Sequence, residues 1–382
     1  MKDSPLKTFL EEMLRQSGPI SFARYMELCL YHPELGYYMQ GRERTGIWGD
    51  YFTSPDLHPI FARLVARQAA EMWEMLGCPA RFSWVEMGAG RGLFAADFLR
   101  WVKISRPDFL EALEYVVVEP GPRQRARVLD RVVGEVDRAR FRAVASIEEL
   151  HSITGCFFSN ELVDAFPVSI VTRYGGRLKE VYVEAHGEGL RESLGPITDS
   201  AVAAWVARYA PQLEEGYRVE VNRRATRWLI SVAEKLKRGF VLTIDYGSLA
   251  EALCTSTRPR GTLMAYLNHK ATEDFYSAPG EQDLTSHVNF SALIDCGKEA
   301  GLTFLGLTTQ ERFLMAIGEA NEFADLYEPG QTMDEKLQAR LKLKRLIFPG
   351  GSEESQGMGN IFKVLIQGRG IPLPRLTGLK FG

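Results

Sequence analysis

The stretch Trp84-Val85-Glu86-Met87-Gly88-Ala89-Gly90-Arg91-Gly92 decides the fold. It has the pattern of an apolar strand that ends in an acidic residue, followed by three glycines at alternate positions and a helical run over residues 93–102. Glycine-rich turns between a strand and a helix bind nucleotide-like ligands in α/β sheets, because a glycine lets the ligand approach the backbone closely. The stretch therefore predicts such a binding turn. The alternative is a purely structural glycine turn in an unrelated α/β protein.

The glycine spacing indicates which ligand the turn binds. A dinucleotide-binding turn has glycines at its first, third and sixth positions, and the sixth position here is Leu93. The carboxylate of Glu86 would repel a pyrophosphate, whereas it suits a ligand with an amino group and a sulfonium. The spacing thus predicts S-adenosylmethionine as cofactor and disfavours the alternative of a nicotinamide oxidoreductase. The predicted contacts in the turn are Glu86, Met87, Gly88, Ala89, Gly90 and Gly92.

Composition excludes several classes of protein. Of 382 residues, 45% are hydrophobic and 25% charged, which is typical of a globular chain, and the net charge of −3 argues against a dedicated nucleic-acid binder. The five cysteines are scattered and form no CxxC pair, so neither a zinc site nor a disulfide framework is predicted. No apolar run reaches the roughly 18 residues of a membrane span, and no membrane partner is expected.

The first residues, Met1-Lys2-Asp3-Ser4-Pro5, resemble neither a secretory signal nor an organellar presequence. We therefore expect a soluble cytoplasmic protein, or a protein of the mitochondrial matrix if the source is a eukaryote and the presequence has been removed.

The chain alternates predicted strands with helical patterns, which indicates a doubly wound, mostly parallel α/β sheet. The predicted strands are residues 82–87, 115–119, 141–145, 156–159, 240–246, 303–307 and 361–367. Residues 168–194 interrupt this order as β-hairpin material, with Gly175-Gly176 as the turn. We predict an N-terminal helical cover (1–60), a cofactor-binding Rossmann-like domain (61–167 and 239–370) and an inserted α+β substrate subdomain (168–238).

Polar residues follow the other predicted strands. Glu119 ends the second strand, where such sheets bind ribose hydroxyls, and Pro120 follows it. The alternative is that Glu119 is merely an exposed acid in a turn. Ser146, after the third strand, lies where an adenine ring would be flanked. We predict cofactor contacts for all three residues.

The fourth strand ends in Asn160-Glu161, with Asp164 close behind, where a methyl acceptor would lie. The structural alternative makes Asn160 a helix N-cap and Glu161 a first-turn acid. His287 is a candidate base, although a lone histidine is more often structural, and Asn289 is predicted to cap the next helix. No Ser–His–Asp triad and no metal cluster can be assembled from the sequence.

Together these features resemble the MidA-like class I S-adenosylmethionine-dependent methyltransferases, whose mitochondrial members help assemble respiratory complex I by dimethylating an arginine. The resemblance covers most of the chain, with Asn289 as one departure from a more usual acid. Its motifs are Gly18-Pro19-Ile20-Ser21-Phe22, His32-Pro33-Glu34-Leu35-Gly36-Tyr37-Tyr38, Gly49-Asp50-Tyr51-Phe52-Thr53-Ser54-Pro55, Glu86-Met87-Gly88-Ala89-Gly90-Arg91-Gly92, Asn160-Glu161-Leu162-Val163-Asp164-Ala165 and Asp283-Leu284-Thr285-Ser286-His287-Val288.

The resemblance implies the cofactor, a class I fold and methyl transfer, with a protein arginine as acceptor. We expect Thr53 and Ser54 to close over the cofactor, Asn160 to contact it, and Glu161 and Asp164 to orient a guanidinium and accept its proton. A cofactor-binding assembly factor without turnover and a small-molecule methyltransferase remain alternatives. A protein substrate is the expected partner, and the oligomeric state stays open.

Overall fold

The computed structural model describes residues 4–42, 50, 53–348, 350–352, 355–356, 358–372 and 375–381. Gly49, Tyr51 and Phe52 of the loop motif lie outside these residues. Contacts divide the chain into two compact units. The first comprises Met1–Tyr51, Val163–Trp228 and Gly247–Asp295, and the second comprises Phe52–Leu162, Leu229–Tyr246 and Cys296–Gly382. These boundaries differ from the predicted domain limits, chiefly because residues 247–295 group with the hairpin insertion and the N-terminal segment.

The strands follow in chain order. They are β1 (Ile20–Ser21), β2 (Phe82–Met87), β3 (Leu113–Val118), β4 (Phe141–Val144), β5 (Ile153–Asn160), β6 (Ser169–Tyr174), β7 (Arg177–His186), β8 (Gly189–Gly195), β9 (Arg218–Val221), β10 (Leu236–Ser248), β11 (Met264–Leu267), β12 (Lys270–Thr272), β13 (Asp283–Thr285), β14 (Val288–Asn289), β15 (Thr303–Thr309), β16 (Gly350–Ser352), β17 (Ser355–Gln356) and β18 (Phe362–Arg369).

The α-helices of the described residues are numbered in the same way. They are α1 (Pro5–Ser17), α2 (Phe22–Tyr31), α3 (Ser54–Leu57), α4 (Ile60–Met75), α5 (Leu93–Ser105), α6 (Pro107–Ala112), α7 (Pro122–Arg131), α8 (Ser200–Tyr209), α9 (Arg223–Lys235), α10 (Ala250–Leu253), α11 (Phe290–Glu299), α12 (Gln310–Glu319) and α13 (Met333–Ile347). None of these helices is long and apolar enough to cross a bilayer.

A seven-strand path in the order β15-β18-β10-β5-β2-β3-β4 forms the sheet of the second unit. β10, β5, β2, β3 and β4 run parallel, and β18 is antiparallel to both of its neighbours. The predicted mostly parallel α/β sheet is therefore confirmed. All seven predicted core strands form within a few residues of their expected ends.

Aromatic side chains fill the core between β2, β5 and α5. The Trp84 ring lies 4.8 Å from that of Phe98, and the Phe94 ring stacks on that of Phe158 at 4.5 Å. Every residue of β2 is buried, as expected for a central parallel strand covered on both faces. This packing fixes the strand from which the glycine turn emerges.

The first unit contains a sheet in the order β1-β7-β6-β9, with β8 on the other edge of β7. The predicted hairpin turn is confirmed, since Gly175 and Gly176 have φ of 59° and 73°, which only glycine adopts readily. Within the predicted N-terminal helical cover, α2 begins at Phe22, after a short strand. Ile20 pairs with Val183 in β1, and the Ser21 hydroxyl accepts the Arg24 N–H, which caps α2.

Two predictions about helix caps have opposite outcomes. Asn289 caps α11, because its Oδ1 accepts the Ala292 N–H at 3.0 Å. The capping alternative for Asn160 is wrong, since Asn160 is the last residue of β5 and no helix begins in residues 161–168. Strand pairing therefore extends to Asn160, which agrees with the predicted strand end and not with the alternative of a helix start.

Candidate cofactor-binding and active site

Two glycines of the turn, Gly88 and Gly92, pack against neighbouring residues, whereas Gly90 faces open space. Gly88, Gly90 and Gly92 have φ of 76°, 52° and 73°, all in the left-handed region. A Cβ would lie 2.9 Å from Leu162 Cδ1 at Gly88 and 3.1 Å from the Val128 Cα at Gly92. At Gly90 it would meet nothing within 4 Å. Gly90 thus provides the close approach to the backbone that a nucleotide-like ligand requires, and the turn fits such a cofactor.

Glu86 lies beneath this turn at the end of β2, and its carboxyl is 4% exposed. The Tyr115 hydroxyl donates to its Oε2 at 2.6 Å. Burial raises the pKa of Glu86 to about 8, the Tyr115 hydrogen bond lowers it, and the charge of Glu119 raises it further. The protonated carboxyl therefore prevails at neutral pH, and a cation bound nearby would draw the pKa down.

Glu119 follows β3 and folds back toward the glycine turn. Its Oε1 accepts the Gly121 N–H at 3.2 Å, and its carboxylate also accepts the Gly90 N–H. Burial raises the pKa of Glu119, and these backbone donors act against that rise. The structure therefore brings Glu119 to the glycine turn, whereas the adjacent Pro120 is exposed.

Ser146 lies beyond the carboxyl end of β4, at the same edge of the sheet. It begins a short 3-10 helix over Ile147–Glu149 through a reciprocal capping box, in which the Ser146 N–H donates to Glu149 Oε1 at 3.1 Å. This cap fixes the loop that was predicted to flank an adenine ring.

Glu161 has an unusual backbone and a well-defined carboxylate. Its φ of 52° is left-handed, and strained backbone of this kind is concentrated at functional sites. Its N–H donates to the Ile244 carbonyl at 3.0 Å, which links it to β10. Its Oε1 accepts the Asn160 Nδ2 at 2.9 Å and the Ser54 N–H at 3.1 Å. The carboxylate is thus oriented from two sides.

Asn160 presents a polar atom that the protein does not use. Its Oδ1 is buried and has no hydrogen-bond partner among the described residues. Buried acceptors of this kind are rare, because leaving one unpaired costs about 1–3 kcal/mol. An unsatisfied acceptor at the end of β5 fits a cofactor or substrate donor.

The segment around α3 is bonded to the residues at the carboxyl end of β5 and to the glycine turn. The Thr53 hydroxyl and N–H both donate to Asp56, and Arg91 of the glycine turn forms an ion pair with the same carboxylate. The Ser54 side chain is fully buried, and its hydroxyl donates to Gln310 Oε1 at 3.2 Å. Ser54 therefore bonds to the protein itself, and its expected contact with the cofactor stays a prediction.

Two residues of this edge were not among the predicted site residues. Asp245 of β10 is fully buried and accepts the N–H groups of Leu162 at 3.2 Å and Tyr246 at 2.9 Å. Its place at a strand end was the signal that could have identified it. Gln310 had no such signal, because only the tertiary fold brings it to Ser54.

Asp164 belongs to the first unit and is 4% exposed. Its backbone carbonyl accepts the Ser286 N–H at 3.0 Å. Nearby, Asp283 accepts the Tyr38 hydroxyl at 2.7 Å, and its pKa is raised to about 7 by burial and by the charge of Asp164. These neighbouring carboxylates form an electronegative cluster in the first unit that sequence analysis did not predict as a group.

His287 also belongs to the first unit. It lines a small pocket together with Trp205, Glu220 and Cys254, and its backbone N–H donates to the Thr262 hydroxyl at 3.0 Å. The predicted catalytic residues are therefore divided between the units, with Glu161 in the second and both Asp164 and His287 in the first. No group of three or more metal-ligating side chains occurs in the described part of the chain.

Residues 64–308 match a family model described as "Putative S-adenosyl-L-methionine-dependent methyltransferase". Among solved structures, the chain is 31% identical to a "likely methyl transferase" of Burkholderia thailandensis bound to S-adenosyl-homocysteine, with a TM-score of 0.87 over 99% of this chain and 95% of that one. A second structure of a Burkholderia thailandensis protein, also 31% identical, has a TM-score of 0.84 and covers 99% of this chain and 94% of that one.

Two curated relatives are more distant. The chain is 28% identical to the mitochondrial "Protein arginine methyltransferase NDUFAF7 homolog" of Drosophila melanogaster, over 74% of this chain and 67% of that protein. It is 27% identical to the mitochondrial "Protein arginine methyltransferase NDUFAF7" of Homo sapiens, over 82% of this chain and 74% of that protein.

These likenesses confirm the predicted class I fold and S-adenosylmethionine as the cofactor. The family match spans well over half of the chain and includes the glycine turn, Glu119 and Glu161. The chain belongs to this family of S-adenosylmethionine-dependent methyltransferases.

Proposed function

We propose that this methyltransferase methylates a guanidinium nitrogen of arginine in a protein substrate. The proposal draws on the curated relatives, which are named protein arginine methyltransferases, and on the oriented carboxylate of Glu161 in the second unit. The pKa of a guanidinium lies above about 12, so the group is protonated at neutral pH. Its attack on a methyl group therefore requires carboxylates that orient it and take up the proton. Bound S-adenosylmethionine supplies the electrophilic methyl group on a sulfonium that is already a good leaving group.

In this proposal the glycine turn holds the cofactor. Gly90 admits the methionine moiety, Glu86 pairs with its ammonium and Glu119 binds the ribose hydroxyls. Met87, Ala89 and Thr53 border the same site. The protein's own contribution to the reaction is orientation and exclusion of water.

The observation that carries the acceptor assignment is the Glu161 carboxylate, held by the Ser54 N–H and the Asn160 amide at the end of β5. Because Met87 of β2 lies opposite Ser159 in the parallel register, Glu161 is two residues past the strand position beside the glycine turn. A carboxylate fixed there suits a cationic acceptor. In the first unit, Asp164, which neighbours Asp283, and His287 remain candidates for taking up the proton.

Mass spectrometry of candidate partner proteins, incubated with the enzyme and isotope-labelled S-adenosylmethionine, tests the proposal. We expect mono- or dimethylated arginine. Glu161→Gln should keep cofactor binding and lose turnover, while Glu111→Gln, on an exposed residue of the same unit, should keep both. Label on small metabolites alone would favour a small-molecule methyltransferase, and no label anywhere would favour a cofactor-binding assembly factor. A cytoplasmic location is likewise a prediction, which fractionation of the source cells tests.

A further inference from the structure

Helix α13 has two apolar faces, of which only one is covered. Ala339, Leu343 and Leu346 are buried against the second unit. Four other large side chains, here called the outer stripe, are exposed: Met333 (79%), Leu337 (52%), Leu341 (47%) and Phe348 (50%). At about 100° per residue, Met333, Leu337 and Leu341 lie within one quarter of the helix circumference, well away from the buried face, and Phe348 follows α13 as its C-cap residue. An exposed apolar row of this length marks an interaction surface.

The outer stripe is interleaved with cations. α13 carries five basic and two acidic side chains, a net charge of +3, on a chain whose overall net charge is −3. The Lys344 ammonium lies 4.5 Å from the centre of the Phe348 ring. The Arg340 guanidinium lies 5.7 Å from that of Tyr327 and donates to its hydroxyl at 2.6 Å. The surface is therefore apolar, aromatic and cationic at once.

This combination favours one kind of occupant. Lys344 lies within the angular range of the stripe, and the cores of protein–protein interfaces are depleted of lysine. A second copy of the chain packed on the same face would also bring two positively charged helices together. At an anionic lipid surface, apolar side chains enter the headgroup region while lysine and arginine extend their charged ends to the phosphates.

We propose that the outer stripe of α13 docks the protein on an anionic lipid surface as a peripheral, reversible contact. Such a contact needs no membrane-spanning helix, because the helix lies in the interface plane and the cations supply much of the attraction. The proposal adds a lipid partner, where the sequence predicted none, and it is independent of the methyl acceptor.

Flotation of the full chain with phosphatidylcholine vesicles, with or without phosphatidylglycerol, tests this. We expect binding only to the vesicles that contain phosphatidylglycerol, and release at high salt. The double variant Arg340→Gln/Lys344→Gln should bind roughly thirtyfold more weakly, since each cation near the surface adds to the attraction. Leu337→Asp/Leu341→Asp should abolish binding.

The matched control is Ile104→Asp, which removes an apolar side chain that is 75% exposed on α5 and should leave flotation unchanged. Circular dichroism of every variant should stay as in the parent, because all the substituted side chains are exposed or half-buried. Failure of the parent to bind anionic vesicles would overturn the proposal. So would full binding by Leu337→Asp/Leu341→Asp, or a dimer in sedimentation velocity that this variant dissociates.

Discussion

The Tyr115 hydroxyl on β3 donates a 2.6 Å hydrogen bond to the Glu86 carboxyl on β2, directly below the glycine turn. The pair crosses two adjacent parallel strands, in which Glu86 lies opposite Val117. This bond is the main influence that offsets burial, which raises the pKa of Glu86 to about 8. Burial thus sets the neutral state of the residue below the cofactor turn, and a hydrogen bond from the neighbouring strand acts against it.

Cofactor affinity should rise with pH. With the Glu86 pKa near 8, the free protein holds a neutral carboxyl at pH 7, whereas a cationic cofactor favours the carboxylate, so binding releases a proton. Affinity for S-adenosylmethionine should increase from pH 6 to 8 and level off above that. Calorimetry in buffers of different ionisation enthalpy measures the released proton.

Tyr115→Phe tests the same relationship. Removing the hydrogen bond raises the pKa of Glu86 further, so the midpoint of the affinity profile should move to higher pH and affinity at pH 7 should fall. Glu86→Gln is the control, because it cannot ionise and should give a flat profile. A pH-independent affinity in the parent protein would exclude Glu86 as the partner of the cofactor's ammonium.

Gly90→Leu should abolish cofactor binding. The position has φ of 52° and open space where a Cβ would project, so a side chain would occupy the volume assigned to the ligand. Gly134→Leu is the matched control, since Gly134 has φ of 84° and also meets nothing within 4 Å. Both variants should lose about 1–2 kcal/mol of stability through left-handed strain, and only the first should lose affinity in calorimetry. Unchanged affinity in Gly90→Leu would refute the site.

Gln310→Leu should lower kcat and leave cofactor affinity nearly unchanged. Gln310 accepts the Ser54 hydroxyl and donates to the Leu346 carbonyl at 3.1 Å, so it holds the segment whose N–H orients Glu161. We expect a severalfold loss of kcat. Gln310→Glu keeps an acceptor for Ser54 and should recover part of the loss.

Gln68→Leu controls for the loss of a buried amide. Gln68 is also fully buried, but its Oε1 accepts the Gly378 N–H instead. Both glutamine variants should destabilise the protein by about 1–3 kcal/mol, because each leaves buried polar groups unpaired. Equal kcat in the two variants would assign Gln310 a purely structural role.

Asp283→Asn should flatten the pH dependence of stability. The folded-state pKa of about 7 lies above the ordinary aspartate value of 3.8, so the stability that Asp283 contributes is complete below that ordinary value and is lost as pH rises from there through about 7. In chemical denaturation, the free energy of unfolding of the parent should fall between about pH 4 and 7 more than that of the variant does, so the difference in favour of the variant should be larger at pH 8 than at pH 5. Asp130→Asn, on an exposed residue, controls for the removed charge. A parallel pH profile for parent and Asp283→Asn would contradict the assignment.

Several features of the fold could be predicted because they depend on local pattern. β2 begins and ends at the predicted residues, Phe82 and Met87, since four of its six residues are apolar and the glycine turn follows it directly. The hairpin turn at Gly175-Gly176 followed in the same way from its backbone preference. The short strand β1 could not be predicted, because Ile20 and Ser21 pair with residues 183 and 182.

The sequence by itself determined the glycine turn, the strands on either side of it and hence the kind of cofactor, because these depend on residue type and spacing along a few consecutive positions. Only the tertiary structure decided that Gln310 holds Ser54 beside Glu161 and that Tyr115 tunes the pKa of Glu86. Those contacts join residues between 29 and 256 positions apart in the chain, so no local pattern encodes them. Burial, which sets the pKa values of Glu86 and Asp283, likewise exists only after the chain has folded.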